Sequence, residues 1–332
     1  MYRKPELLIP ASCLEVLKVA VMFGADAVYI GGEAFGLRAK AKNFPPEDMR
    51  QGVLFAHEHG VKVYVTANIL AHNADLDGVR TYFKELKQMN IDAVIISDPA
   101  VFTIAKEELP ETDIHISTQA NNTNYGTFRF WYGLGAKRVV TARELSLEEI
   151  KEIRSEIPDD MEIETFIHGA MCISYSGRCL LSSFMAGRDA NRGACTHPCR
   201  WKYAVMEESR PGEYMPVYEN ERGTYIFNSK DLCMIEHIGE LMESGIDSYK
   251  IEGRMKTALY VARPWQEPTG WRSTTGRKIR NITNREFRII KQRSRNVPIV
   301  SILPDFSLEN RMKTPRFMIP IRMSRNIRTS AL

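Results

Sequence analysis

Five of the chain's six cysteines fall between positions 172 and 233: Cys172, Cys179, Cys195, Cys199 and Cys233. Thiolates are soft ligands, and four of them at tetrahedral positions suit zinc or an iron–sulfur cluster. Six residues separate Cys172 from Cys179, fifteen more precede Cys195, three precede Cys199 and thirty-three precede Cys233. A zinc ribbon carries two close pairs of cysteines, and only Cys195 and Cys199 are close here, so the spacing suits a [4Fe-4S] cluster drawn from separated loops better than zinc. Disulfides are the weaker reading. No charged-then-apolar leader opens the chain and no run of about 18 apolar residues interrupts it, the pattern of a soluble cytoplasmic protein without a membrane span. Cys13, remote from the group, fits a buried thiol at the start of a helix.

The first two cysteines follow a stretch that reads EIETFIHGAM, residues 162–171. Its alternation predicts a strand that breaks at His168 and Gly169 into the cysteine loop. Glu162 and Glu164 then share one face of that strand and need cationic partners, for which Lys250 and Arg254 are candidates. A salt-bridged structural pair is the competing reading. His168 fits a general base or substrate contact, since imidazole titrates near neutral pH, or equally a rim histidine bonded to a loop carbonyl.

Something must hold these groups, and the rest of the chain has the pattern to do it. Short β-branched runs alternate with helical stretches, the signature of βα units and a parallel sheet. Strands are predicted over 7–10, 27–30, 62–66, 93–96, 114–118, 138–141, 162–167 and 248–252, and helices over 14–23, 46–59, 76–89, 99–108, 125–134 and 147–157. Ser146 with Glu149 makes a capping box for the last of these helices. Eight such repeats predict an α/β fold, a (β/α)8 TIM-like barrel, whose active site lies at the carboxyl ends of its strands. Those ends carry Tyr29, Asn68, Gln119, Asn121, Asn122, Arg143, His168, Glu252 and Arg254, with His115 on the fifth strand. A ring of amides, hydroxyls and a few charges suits a pocket for a small molecule or a nucleobase.

Residues 1–168 thus hold strands one to seven, and 246–262 hold the eighth strand and the start of a last helix. Between them, 169–245 is far longer than an ordinary βα connection and reads as a cysteine-rich lid, with a β-hairpin near its middle and a helix over 231–243. Residues 263–332 differ from everything before them. They carry 16 Lys and Arg against 4 Asp and Glu, a balance of +12, so the total of +4 leaves −8 on residues 1–262. A basic arm binds phosphates, yet hydrophobic periodicity stops at 263, which is the pattern of an aberrant, frameshifted or poorly structured end.

The run from Glu164 to Ser182, with GACTHPCRW, SKDLC and YKIEGRMK further on, resembles the signature of peptidase family U32, the collagenase-like peptidases, over residues 1–262. The resemblance implies two activities. The family is named for a collagenase-type peptidase, but HExxH and GxSxG are both absent from the sequence. Better-understood members are oxygen-independent hydroxylases of a quinone precursor, a ribosomal RNA pyrimidine or the wobble uridine of tRNA, with prephenate as donor for the RNA enzymes. In the quinone branch four cysteines hold a [4Fe-4S] cluster with spacing similar to Cys172, Cys179, Cys195 and Cys233. The segment AVYIGGEAFGLRAKAKNF is similar to the members that hydroxylate tRNA uridine at C5. On that reading, the strand and rim residues His168, Glu164, Glu252 and Arg254 are catalytic candidates, and Tyr29, Asn68, His115, Gln119, Asn121, Asn122 and Arg143 are candidate substrate contacts. tRNA and a paralogous family member are candidate partners. Arg38, Lys40 and Lys42 form a local basic patch for RNA in an otherwise acidic body. A collagenase-like peptidase and a non-catalytic assembly subunit are the competing readings.

Overall fold

The computed structural model describes residues 4–36 and 43–172, and within 174–254 the stretches 174–176, 178–188, 190, 193–200, 204–205, 208–209, 211–213, 215–216, 219–220, 223–224, 231–234 and 237–254. The basic patch at 38, 40 and 42 and the segment 263–332 lie outside the described residues.

The first seven strands are β1 (Glu6–Pro10), β2 (Ala27–Ile30), β3 (Lys62–Ala67), β4 (Ala93–Ile96), β5 (Asp113–Ile116), β6 (Arg138–Val140) and β7 (Glu162–Ala170); after the short β8 (Asp231–Cys233) comes β9 (Ser248–Ile251). β1 to β7 and β9 are parallel. β9 pairs with both β7 and β1, so the sheet closes on itself and leaves no free edge. Between successive strands run α1 (Leu14–Met22), α2 (Pro46–Glu58), α3 (Leu76–Gln88), α4 (Pro99–Glu108), α5 (Tyr125–Gly133) and α6 (Leu147–Glu156); α7 (Leu181–Ala186) and α8 (Ile238–Glu243) follow in the insertion. The predicted (β/α)8 barrel is the observed fold. Helix starts follow local chemistry: Asp98 accepts from Ala100 N and Val101 N, Asn124 accepts from Thr127 N, and Ser146 with Glu149 forms the predicted capping box.

Strand residues alternate between two environments. Ile9, Val28, Val63, Val65, Val94 and Ile96 point outward and pack on the helices in one continuous core with Leu17, Phe83 and Leu86. Burying each such side chain is worth about 1.5–3 kcal/mol, which is why the outward faces read as unbroken β-branched runs. The inward set divides by chemistry. Leu8, Ala27, Tyr29, Tyr64, Ala93 and Ile95 form a separate small apolar cluster. Opposite it, β6, β7 and β9 contribute Arg138, Glu162, Glu164, Ser248 and Lys250.

Two elements differ from expectation. β7 does not break at His168; it runs on through Gly169 to Ala170, because β8 pairs with it antiparallel, Asp231 opposite Ala170 and Cys233 opposite His168. The same pairing takes the start of the helix predicted over 231–243, which spans only Ile238–Glu243. Backbone ladder bonds to β7 outweigh the helical propensity of that short segment. Near the predicted hairpin, Glu219–Asn220 pairs with Gly223–Thr224. Among the described residues no helix is long and apolar enough to cross a membrane.

Candidate active site at the barrel mouth

A pocket of about 830 Å³, its open mouth included, lies at the carboxyl ends of the strands and is closed on one side by the cysteine insertion. Of the predicted site residues it brings together Tyr29, Asn68, Gln119, Arg143, Glu252, Arg254, Cys172, Cys179 and Cys195. Thr66, Ile95, Ser117, Phe166, Ser174, Tyr175 and Lys250 complete most of the wall. Ser174 and Tyr175 carry no signal beyond their place between two cysteines, and Phe166 reads in sequence as an ordinary strand residue.

Arg143 ties the insertion to the barrel. One guanidinium donates to Ser176 Oγ and to Glu252 Oε2 at 3.1 Å, stands 3.9 Å from Cys172 Sγ and lies 4.1 Å over the Phe166 ring. A planar fork makes these contacts at once where an ammonium could not. Cys179 Sγ accepts from Leu181 N and Cys195 Sγ from His197 N, both at 3.4 Å. Two cysteines thus accept from the backbone N–H two residues on, and a third lies beside a guanidinium.

Cys233 is one strand away, in ladder register with His168. Among the described residues, no three metal-ligating side chains are drawn into a closed ligand set. The donor type and the convergence of Cys172, Cys179 and Cys195 on one pocket nevertheless fit a cluster at this wall, with Cys199 and Cys233 the further thiols of the insertion.

The other predicted residues lie around the pocket without lining it. Glu164 is wholly buried beneath it, accepting from Lys250 Nζ at 2.7 Å and Arg138 Nη1 at 3.0 Å. Arg138 also donates to Glu6 at 2.6 Å and to Glu162 at 2.5 Å, so one strand residue anchors three carboxylates. Its charge counts at Glu6: burial pushes that carboxyl up, but attraction and hydrogen bonding from Arg138 outweigh it and hold Glu6 below its ordinary range. His115 stacks edge-on against Tyr64 at 4.7 Å inside the barrel, where burial, reinforced by Arg138 and Lys250, keeps the imidazole neutral. Asn122, fully buried, donates to Ser117 O and Val140 O and accepts from Trp131 Nε1, which makes it a brace between β5 and β6. Asn121 takes the left-handed conformation at φ 55° and donates to Gln119 O. His168 is buried at the meeting of β7, β8 and β9, its carbonyl accepting from Glu252 N at 2.8 Å.

A closed (β/α)8 barrel whose mouth is capped by a cysteine-bearing insertion is the class that fold and site define. Residues 12–266 match the model of peptidase family U32, and the chain belongs to that family. It is 47% identical over 260 residues to tRNA hydroxylation protein P1 of Bacillus subtilis, covering 78% of this chain and 61% of that one. To tRNA hydroxylation protein P of Escherichia coli it is 44% identical over 305 residues, covering 79% and 66%. The chain therefore spans less than two thirds of either relative's length. Among solved structures, the U32 peptidase Mk0906 shares the fold with a TM-score of 0.50 at 14% identity, over 76% of this chain and 94% of that one.

Proposed function

We propose that the chain carries the active-site barrel of an oxygen-independent hydroxylase acting at C5 of a tRNA uridine, the wobble position being its target, with a [4Fe-4S] cluster and with prephenate as oxygen donor. The observation that carries the reading is the convergence of three cysteines on a pocket otherwise lined by amides, hydroxyls and cations. The names of the relatives in Bacillus subtilis and Escherichia coli support the substrate class.

Cys172, Cys179, Cys195 and Cys233 would hold the cluster, which supplies one-electron transfer at the lid wall when bound. The chain's own residues do the rest. A uridine must leave its stack to reach this depth. Asn68, Ser117 and Gln119 then offer donors and acceptors to the edge of the base, while Tyr29 and Phe166 give it apolar walls. Replacing C5–H by C5–OH takes two electrons from the base, so the donor gives up one oxygen atom and accepts that electron pair. Glu252, held by Arg143, is the carboxylate at the pocket able to take the C5 proton. No histidine lines the pocket among the described residues, so the thiolate–histidine pair of a cysteine peptidase has no counterpart there.

The test is expression of the full chain in a strain lacking its own tRNA hydroxylation proteins, followed by nucleoside mass spectrometry of bulk tRNA. Restored 5-hydroxyuridine derivatives are expected, with brown, iron-containing protein from anaerobic purification. Colourless, iron-free protein that cleaves gelatin and leaves tRNA unmodified would refute the reading.

A further inference from the structure

The two walls of the pocket differ in chemistry. The insertion presents three cysteines, whereas the barrel presents Tyr29, Thr66, Asn68, Lys250 and Arg254. Lys250 and Arg254 are 5% and 4% exposed, so both cations face the pocket from inside the barrel rather than reaching in from solvent. Lys250 stands 4.6 Å over the Tyr29 ring and directs one of its three donors at Glu164. Arg254 donates to Thr66 Oγ1, and its guanidinium packs on the backbone just past β2: a Cβ at Gly31 would sit 2.1 Å from Nη1, and one at Gly36 3.5 Å from Nη2. Only glycine at position 31 leaves room for that seat. A guanidinium fixed by backbone and a hydroxyl, with a lysine beside it, is preorganised for a planar oxyanion.

We propose that Arg254 and Lys250 form a binding subsite for the carboxylate of a small acid on the barrel wall of the pocket. The inference rests on the reading that a carboxylic acid feeds the hydroxylation, and it says where that acid sits. Carboxylate and RNA phosphate share the chemistry this subsite recognises, but depth separates them. An internal phosphodiester is tethered at both ends and stays at the rim when its base turns inward. A free acid reaches two cations that are more than nine-tenths buried.

Calorimetry on the full chain, with prephenate as the probe and tRNA as the comparison ligand, tests this. Wild-type protein is expected to bind prephenate. Arg254→Gln should weaken that binding about tenfold or more, as loss of charge-assisted hydrogen bonds does, with tRNA affinity unchanged. Thr66→Val keeps the Arg254 charge and removes the hydroxyl that holds it, and should weaken prephenate in the same direction by less. Should Arg254→Gln not fold, Arg254→Lys retains a cation without the fork and must still lose prephenate affinity. No prephenate binding by wild type, wild-type binding by Arg254→Gln or Arg254→Lys, or loss of tRNA in place of prephenate would overturn the subsite. Intact prephenate binding with unmodified tRNA would instead sink the hydroxylation reading and leave the subsite standing.

Discussion

His115 is the residue on which the barrel's polar interior can be titrated. Its ring is buried, its Nδ1 has no hydrogen-bond partner among the described residues, and burial with the nearby cations Arg138 and Lys250 drives its pKa well below the ordinary 6.5. The unfolded chain therefore binds a proton that the folded chain refuses. The stability contributed by the neutral ring is present above pH 6.5 and is lost as pH falls below it, by up to about 1.4 kcal/mol per unit. Glu6 has the opposite origin but loses its contribution only below its own ordinary 4.5, outside that window. His115→Phe keeps an aromatic edge on Tyr64 and removes the titrating group. Urea denaturation from pH 8 to 5.5 should show the wild type losing stability relative to His115→Phe below pH 6.5, and parallel profiles would refute the assignment. Arg143 makes the complementary point. Its rim position was legible in sequence, but not that a single guanidinium would join Cys172, Ser176, Glu252 and Phe166.

At the scale of elements, β7 carries the site because β6 pairs with its start, β9 with its middle and β8 with its end. Gly169 permits this. Its φ is +110°, and a Cβ there would stand 2.1 Å from the Glu252 carbonyl oxygen. Gly169→Ala should cost roughly 1–3 kcal/mol from backbone conformation alone, and more from the clash, read by thermal denaturation. Because Glu252 must move, the Arg143 pair and the cysteine wall should loosen with it; a variant as stable as wild type would show that the strand has slack. The barrel was readable because β-branched runs on the outward faces recur at regular spacing with capped helices between them. What was not readable came from pairing distant in sequence. The glutamates' need for cations was visible and Lys250 was nameable, but Arg138 became a partner only once β6 closed against β7. Asn122 looked like its neighbours at the rim, and only the packing of Trp131 turns it inward as a brace. The segment at 231–233 reads as helix until β7 offers it a ladder.

For the molecule as a whole, the distribution of charge sets how the proposed RNA substrate would be held. Residues 1–262 sum to −8 and residues 263–332 to +12. All eight barrel strands end by Ile251, so a chain cut after 262 keeps every strand that closes the barrel and, among the described residues, every one that lines the pocket. Such a truncation should retain cooperative unfolding and prephenate binding. Affinity for RNA should change differently. Each phosphate neutralised by Lys or Arg releases counterions, and log K falls with log salt at a slope of about −0.7 per contact for single strands. An acidic body makes few such contacts, so the truncated chain should bind RNA more weakly at low salt and with a shallower slope than residues 1–332. Filter binding of tRNA across a salt series measures both. Superimposable salt dependences for the two chains would mean that the 16 basic residues beyond 262 touch no phosphate, and that the barrel grips RNA through its rim alone.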